Sequence, residues 1–152
     1  MTELRLYSPI RLYEKLPYEP PWTDTGEDVR ALTAAEAQSC REAVCEAMKH
    51  TLTPEEQKNG LATGMDSVLT AFPTAEADEN GLTAVLVCRC SRELLPEELD
   101  ALSDWWEREC RYGFGKRLLR SSIRVRGIGS VAVRMSEHCE SHAFSCEMEV
   151  KV

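Results

Sequence analysis

Residues 93–135 read ELLPEELDALSDWWERECRYGFGKRLLRSSIRVRGIGSVAVRM, which predicts a helix, a glycine–aromatic loop and a β-hairpin in succession. Pro96 suits the first helical position, because its missing N–H would be unpaired there in any case. Glu97 and Glu98 follow where the helix dipole favours negative charge. Leu99, Leu102, Trp106 and Cys110 recur at three- and four-residue steps and form one apolar stripe, with Trp105 beside it. Arg108 and Arg111 suit a last turn, and Gly113 offers the positive φ that helix ends often use. Beyond the loop, Ile123 and Val125 alternate with Arg124 and Arg126, Gly127-Ile128-Gly129 turns the chain, and Val131, Val133 and Met135 alternate again.

Upstream, Leu4 and Leu6 alternate with polar neighbours in a short strand that stops before Pro9. From Ser8 to Asp28 four prolines and several aromatics predict an extended loop held down by Tyr13, Tyr18 and Trp22. Thr33 and Glu36 form a capping box that opens a helix to about His50, with Ala37, Cys40, Val44, Ala47 and Met48 on its buried side. Thr53-Pro54-Glu55-Glu56 repeats the start signal for a short helix ending near Asn59-Gly60. Met65 to Ala77 reads as a strand broken near Pro73, and Asn80-Gly81 is a hairpin signal. Leu82 to Cys90 is almost wholly apolar and so central, and Ala143 to Val150 supplies a last strand with Phe144, Cys146, Met148 and Val150 on one face. The expected fold is α+β over 1–152 as a single globular domain. It has a mainly antiparallel sheet of about five to six strands, with two to three helices packed on one face.

A chain of 152 residues is long enough to bury a core, and no apolar run approaches the length of a membrane span. The opening MTELRLYSPI is charged too early for a signal peptide, and seven cysteines without a disulfide-framework spacing suit a reducing, cytoplasmic setting. The charge is uneven. Arg108 to Arg134 holds eight basic residues and one acid, a net +7, which leaves −15 on the remainder of a −8 chain.

That segment supplies the candidate interaction surface: Lys116, Arg117, Arg120, Arg124, Arg126 and Arg134, with Tyr112 and Phe114. Strand alternation sends Arg124, Arg126 and Arg134 to one side, where acids such as Glu147 and Glu149 of the last strand would neutralise them if no partner does. Aromatics mixed with cations suit single-stranded nucleic acid, but a pI of about 5.0 argues against a general nucleic-acid binder and favours a protein partner. Cys88, Cys90, His138, Cys139, His142 and Cys146 contain enough ligands for zinc. Cys88 and Cys90, two apart in an apolar strand, read more simply as packed thiols, so no cofactor is expected.

No catalytic arrangement stands out. His50 lies at a helix end, Ser121-Ser122 lacks a glycine-flanked elbow, and Gly113-Phe114-Gly115-Lys116 is too short for a phosphate loop.

Leu6-Tyr7-Ser8-Pro9, Leu95-Pro96-Glu97-Glu98-Leu99 and Tyr112-Gly113-Phe114-Gly115-Lys116 resemble an uncharacterised family of small proteins from phages and integrative mobile elements of gut bacteria. Lys116 and Arg117 stand where that family carries acids in its glycine–aromatic loop. The resemblance implies an accessory, non-enzymatic protein that binds host or element machinery. The resulting expectation is a binding or regulatory protein of a mobile element, of the kind that inhibits a host defence nuclease (an anti-CRISPR or antirestriction protein). Its partner would be a nuclease or nucleoprotein complex. The alternatives are a zinc-stabilised Cys/His domain and a direct nucleic-acid-binding accessory protein.

Overall fold

A computed structural model of the chain describes residues 2–15, 29–121, 123–135 and 147–151. The strands are β1 (Thr2–Pro9), β2 (Arg11–Lys15), β3 (Val29–Ala31), β4 (Leu69–Asp78), β5 (Gly81–Cys90), β6 (Ile123–Val125), β7 (Gly129–Arg134) and β8 (Glu147–Lys151). The helices are α1 (Ala34–Ser39), α2 (Arg41–Thr51), α3 (Pro54–Asn59), α4 (Pro96–Tyr112) and α5 (Phe114–Leu119). The class is α+β and the strand pairing is antiparallel, but the strands divide between two sheets of four, ordered β4-β5-β1-β8 and β3-β2-β7-β6.

The division begins at Pro9 and Ile10. The chain runs extended through β1, passes the buried Ile10, and continues as β2 in the other sheet. Proline cannot donate to a ladder, so pairing in the first sheet ends there. The prolines and aromatics of 8–28 suggested a loop and hid this strand, in which Leu12 alternates with Arg11 and Tyr13 and is 3% exposed. Leu16 to Asp28, with Tyr18 and Trp22, lie outside the described residues, as do Ser136 to Cys146.

β5 is interior to the first sheet, flanked by β1 and β4. Its hairpin with β4 turns one residue earlier than expected, at Glu79-Asn80, because Asp78 pairs with Gly81. Gly81 takes the positive φ of 125°, so Asn80 need not. Pro73 does not break β4. It pairs with Leu86 on an edge strand, where a missing N–H costs no ladder bond. On either side of it the edge is occupied. The Leu61 N–H donates to the Ala71 carbonyl at 2.9 Å and the Cys45 thiol to the Ala75 carbonyl at 3.4 Å. An edge so engaged is a poor template for strand addition.

The predicted helix from Thr33 splits at Cys40. The capping box forms, with Glu36 N–H donating to Thr33 Oγ1 and Thr33 N–H to Glu36 Oε1. Ser39 Oγ then donates back to the Glu36 carbonyl at 2.6 Å, and the Cys40 N–H reaches only as far as Ala37. Such local bonds compete with the helical ladder. α3 forms as expected, and α4 spans its predicted length with Leu102, Trp106 and Cys110 buried.

A hydrophobic cluster draws on the inner faces of both sheets and on the helices between them: Leu4 and Leu6 from β1, Leu12 from β2, Val131 and Val133 from β7, Met48 from α2, Trp106 from α4 and Phe114 from α5. At its centre the buried Trp106 indole N–H donates to the Oγ of the equally buried Ser8 at 2.9 Å, so both polar groups are satisfied.

Candidate functional site

The β6–β7 hairpin is built as its sequence suggested. Ile123 pairs with Val131 toward the core, and Arg124 pairs with Ser130 on the other face. Gly127 and Gly129 supply the positive φ values of the turn. The sheet then adds what the hairpin alone could not show. β2 lies beside β7 with Arg11 opposite Arg134 and Tyr13 opposite Ala132. Cross-strand partners share a face and side chains alternate. Arg11, Tyr13, Lys15, Arg124 and Arg134 therefore all belong to the outer face of the second sheet, and Arg126 is exposed at the hairpin turn beside them.

These cations form two rows. Arg11 and Arg134 lie at one level. Lys15, one step beyond the Glu14–Val131 pair, falls with Arg124 at the level of Ser130. Four residues separate the rows, about 13 Å at ~3.3 Å per residue. Between them lie Tyr13 and Ala132, and the Arg134 guanidinium sits 5.7 Å from the Tyr13 ring centroid. None of the strand positions on this face is an acid. Glu14, the acid of β2, belongs to the opposite face and accepts from Arg30 at 2.8 Å. Glu147 and Glu149, the acids expected to neutralise the hairpin, lie on β8, which joins the first sheet and not the hairpin's, in register with Tyr7 and Arg5.

The other predicted surface residues fare differently. Phe114 is not on the surface. It is fully buried, 6.4 Å from the Trp106 ring in a stacked arrangement. The loop that was to display it is helix α5. Gly113 has φ −112°, not the expected positive value, and a Cβ there would meet the Glu109 carboxylate that accepts the Phe114 N–H at 3.1 Å. Gly115 is required for another reason, because a Cβ would stand 1.9 Å from the Cys110 carbonyl oxygen. The glycines let α5 fold back on the end of α4.

Arg117 is also committed within the chain. Its fork meets Glu56 at 2.9 and 3.3 Å, donates to the Thr51 carbonyl, and lies 5.9 Å from the Phe114 ring centroid. Burial pushes the Glu56 carboxyl up, but Arg117 and the Thr53 N–H outweigh it and hold the pKa below the ordinary value. Lys116, Arg120 and Tyr112 are exposed, the last at 73%. Lys116 and Arg120 come from α5, whose Phe114 and Leu118 pack in the core with Val131 and Val133. They approach from the side of the sheet opposite Arg124 and Arg134, so the six cations do not form one surface.

Cys88 and Cys90 are buried on the inner face of β5, where Cys88 is in register with both Leu4 and Ala71. Burial pushes the Cys90 thiol up, away from the thiolate a metal or a nucleophile would need. His138, Cys139, His142 and Cys146 lie outside the described residues. Among the described residues no three His, Cys, Asp or Glu side chains converge to hold a metal ion, and no helix is long and apolar enough to cross a membrane. No protein-family model matches the chain, and no match appears among curated proteins or solved structures.

Sequence reasoning found Arg124, Arg126 and Arg134 and missed Arg11, Tyr13 and Lys15. The signal was present in the alternation of Arg11, Tyr13 and Lys15 around Leu12, but the neighbouring prolines obscured it.

Proposed function

We propose that the protein is a non-enzymatic binding protein whose working surface is the outer face of the β3-β2-β7-β6 sheet. One observation carries the reading: Lys15, Arg124 and Arg134 share that face, with Arg126 beside it, and no described strand position there supplies an acid. A chain of net charge −8 that gathers cations on one sheet face is suited to close, local capture of an anion. The partner in this reading is a nuclease or nucleoprotein complex, and the biological role is that of a mobile-element protein restraining a host defence nuclease.

The test is a cleavage assay across several CRISPR effectors and restriction enzymes, with the purified protein and its Arg124→Glu/Arg126→Glu variant. Protection by the wild type, lost in a variant of unchanged stability, supports the reading. Unaltered cleavage throughout removes the inhibitor role, and protection retained by the variant removes the face.

A further inference from the structure

Resting on that reading of the face, we infer that it holds a phosphate monoester dianion at the row formed by Lys15, Ser130 and Arg124. Ser130 pairs with Arg124 across the β6–β7 ladder, and Lys15 falls at the same level on β2. Three adjacent strands thus present an amine, a hydroxyl and a guanidinium side by side. Neighbouring strands stand about 4.8 Å apart, so the two cationic stems rise ~10 Å from each other with the serine midway. The long stems of lysine and arginine can close that gap over one small anion.

Arg124 is exposed, and Lys15 and Ser130 are half-buried. Among the described residues none of the three side chains has a hydrogen-bond or ion-pair partner. By contrast Arg30, Arg92 and Arg117 each meet a glutamate. Charge then selects the ligand. A phosphate monoester carries about −1.5 to −2 at neutral pH and three strong acceptor oxygens, which match two cations with a hydroxyl between them. A carboxylate or a phosphodiester brings a single charge and leaves one cation unbalanced. A chain of net charge −8 repels long polyanions, and one compact dianion held at this row escapes most of that repulsion.

The experiment is amide NMR of the isotope-labelled full chain, titrated separately with inorganic phosphate, thymidine monophosphate, phosphoserine, the diester thymidylyl-thymidine and glutamate. Phosphate and both monoesters are expected to shift the Lys15, Ser130 and Arg124 amides and to saturate with a Kd of about a millimolar, the strength of two charge-assisted contacts. The diester and glutamate should bind about tenfold more weakly, having lost one of the two charges. Lys15→Gln and Ser130→Ala should each weaken phosphate binding about fivefold or more. Lys116→Gln on α5 makes the same change in net charge as Lys15→Gln and should leave it unaltered. Tighter binding of thymidine monophosphate than of phosphoserine would assign the phosphoryl group to a nucleic-acid end, and the reverse to a phosphorylated protein; either supports the dianion.

Diester or glutamate bound as tightly as phosphate would overturn the dianion assignment and leave a general cationic face. A Lys116→Gln chain weakened as much as Lys15→Gln would overturn the site. Absence of saturable shifts with every probe would overturn the assignment as well. Nuclease protection that is lost on Arg124→Glu/Arg126→Glu would in that case still uphold the face, so the two failures are distinguishable.

Discussion

Gly115 shows how a single position ties two helices together. A Cβ there would lie 1.9 Å from the Cys110 carbonyl oxygen, and backbone cannot yield as a side chain can. Gly115→Ala should therefore cost at least about 2–3 kcal/mol, at the upper end of overpacking penalties, read by urea unfolding. At Gly113 the clash is with the Glu109 carboxylate, which can swing away, so Gly113→Ala should cost less. The glycine–aromatic–glycine motif was visible in the sequence, but its reason was not. A positive-φ cap and a close helix approach both select glycine, and only the fold distinguishes them. Phe114 was misplaced for the same reason: an aromatic between two glycines looks displayed until the helix that buries it is known.

At the scale of elements, helix starts were the most legible feature, because a capping signal is local. Thr33 with Glu36, Thr53 with Glu56, and Pro96 with Glu98 each open a helix where expected. What local sequence could not show is that each of these glutamates also receives an arginine. Arg30 meets Glu36 at 2.9 Å, Arg117 meets Glu56 at 2.9 Å, and Arg92 meets Glu98 at 2.8 Å. The Arg30 and Arg92 forks, with backbone N–H groups, hold the Glu36 and Glu98 carboxyls at about 2 against an ordinary 4.5. A carboxyl whose pKa is lower in the folded chain contributes stability that is fully present above its unfolded value and lost as pH falls through the folded one. Unfolding free energy should thus decline as pH drops from 4.5 toward 2. Glu36→Gln, which cannot titrate, should make that decline shallower in urea titrations at successive pH values. The division into two sheets was not legible. It depends on the switch at Pro9–Ile10 and on β8 pairing with β1, and both are long-range choices.

Across the whole molecule, the charge asymmetry read from sequence survives in the fold but changes shape. The basic segment splits. Arg117 is bound to Glu56, Lys116 and Arg120 approach from the α5 side, and Arg124 and Arg134 turn outward, where β2 adds Arg11 and Lys15. On this account Lys15, Arg124 and Arg126 serve a partner and not the fold. Denaturant unfolding of Lys15→Gln/Arg124→Gln/Arg126→Gln at low ionic strength tests that most directly, because no partner need be known. Relief of like-charge repulsion should leave the variant within about 0.5 kcal/mol of the wild type or above it. A loss of more than about 1 kcal/mol, beyond what surface substitutions ordinarily cost, would show that the chain neutralises these charges itself and would contradict the account.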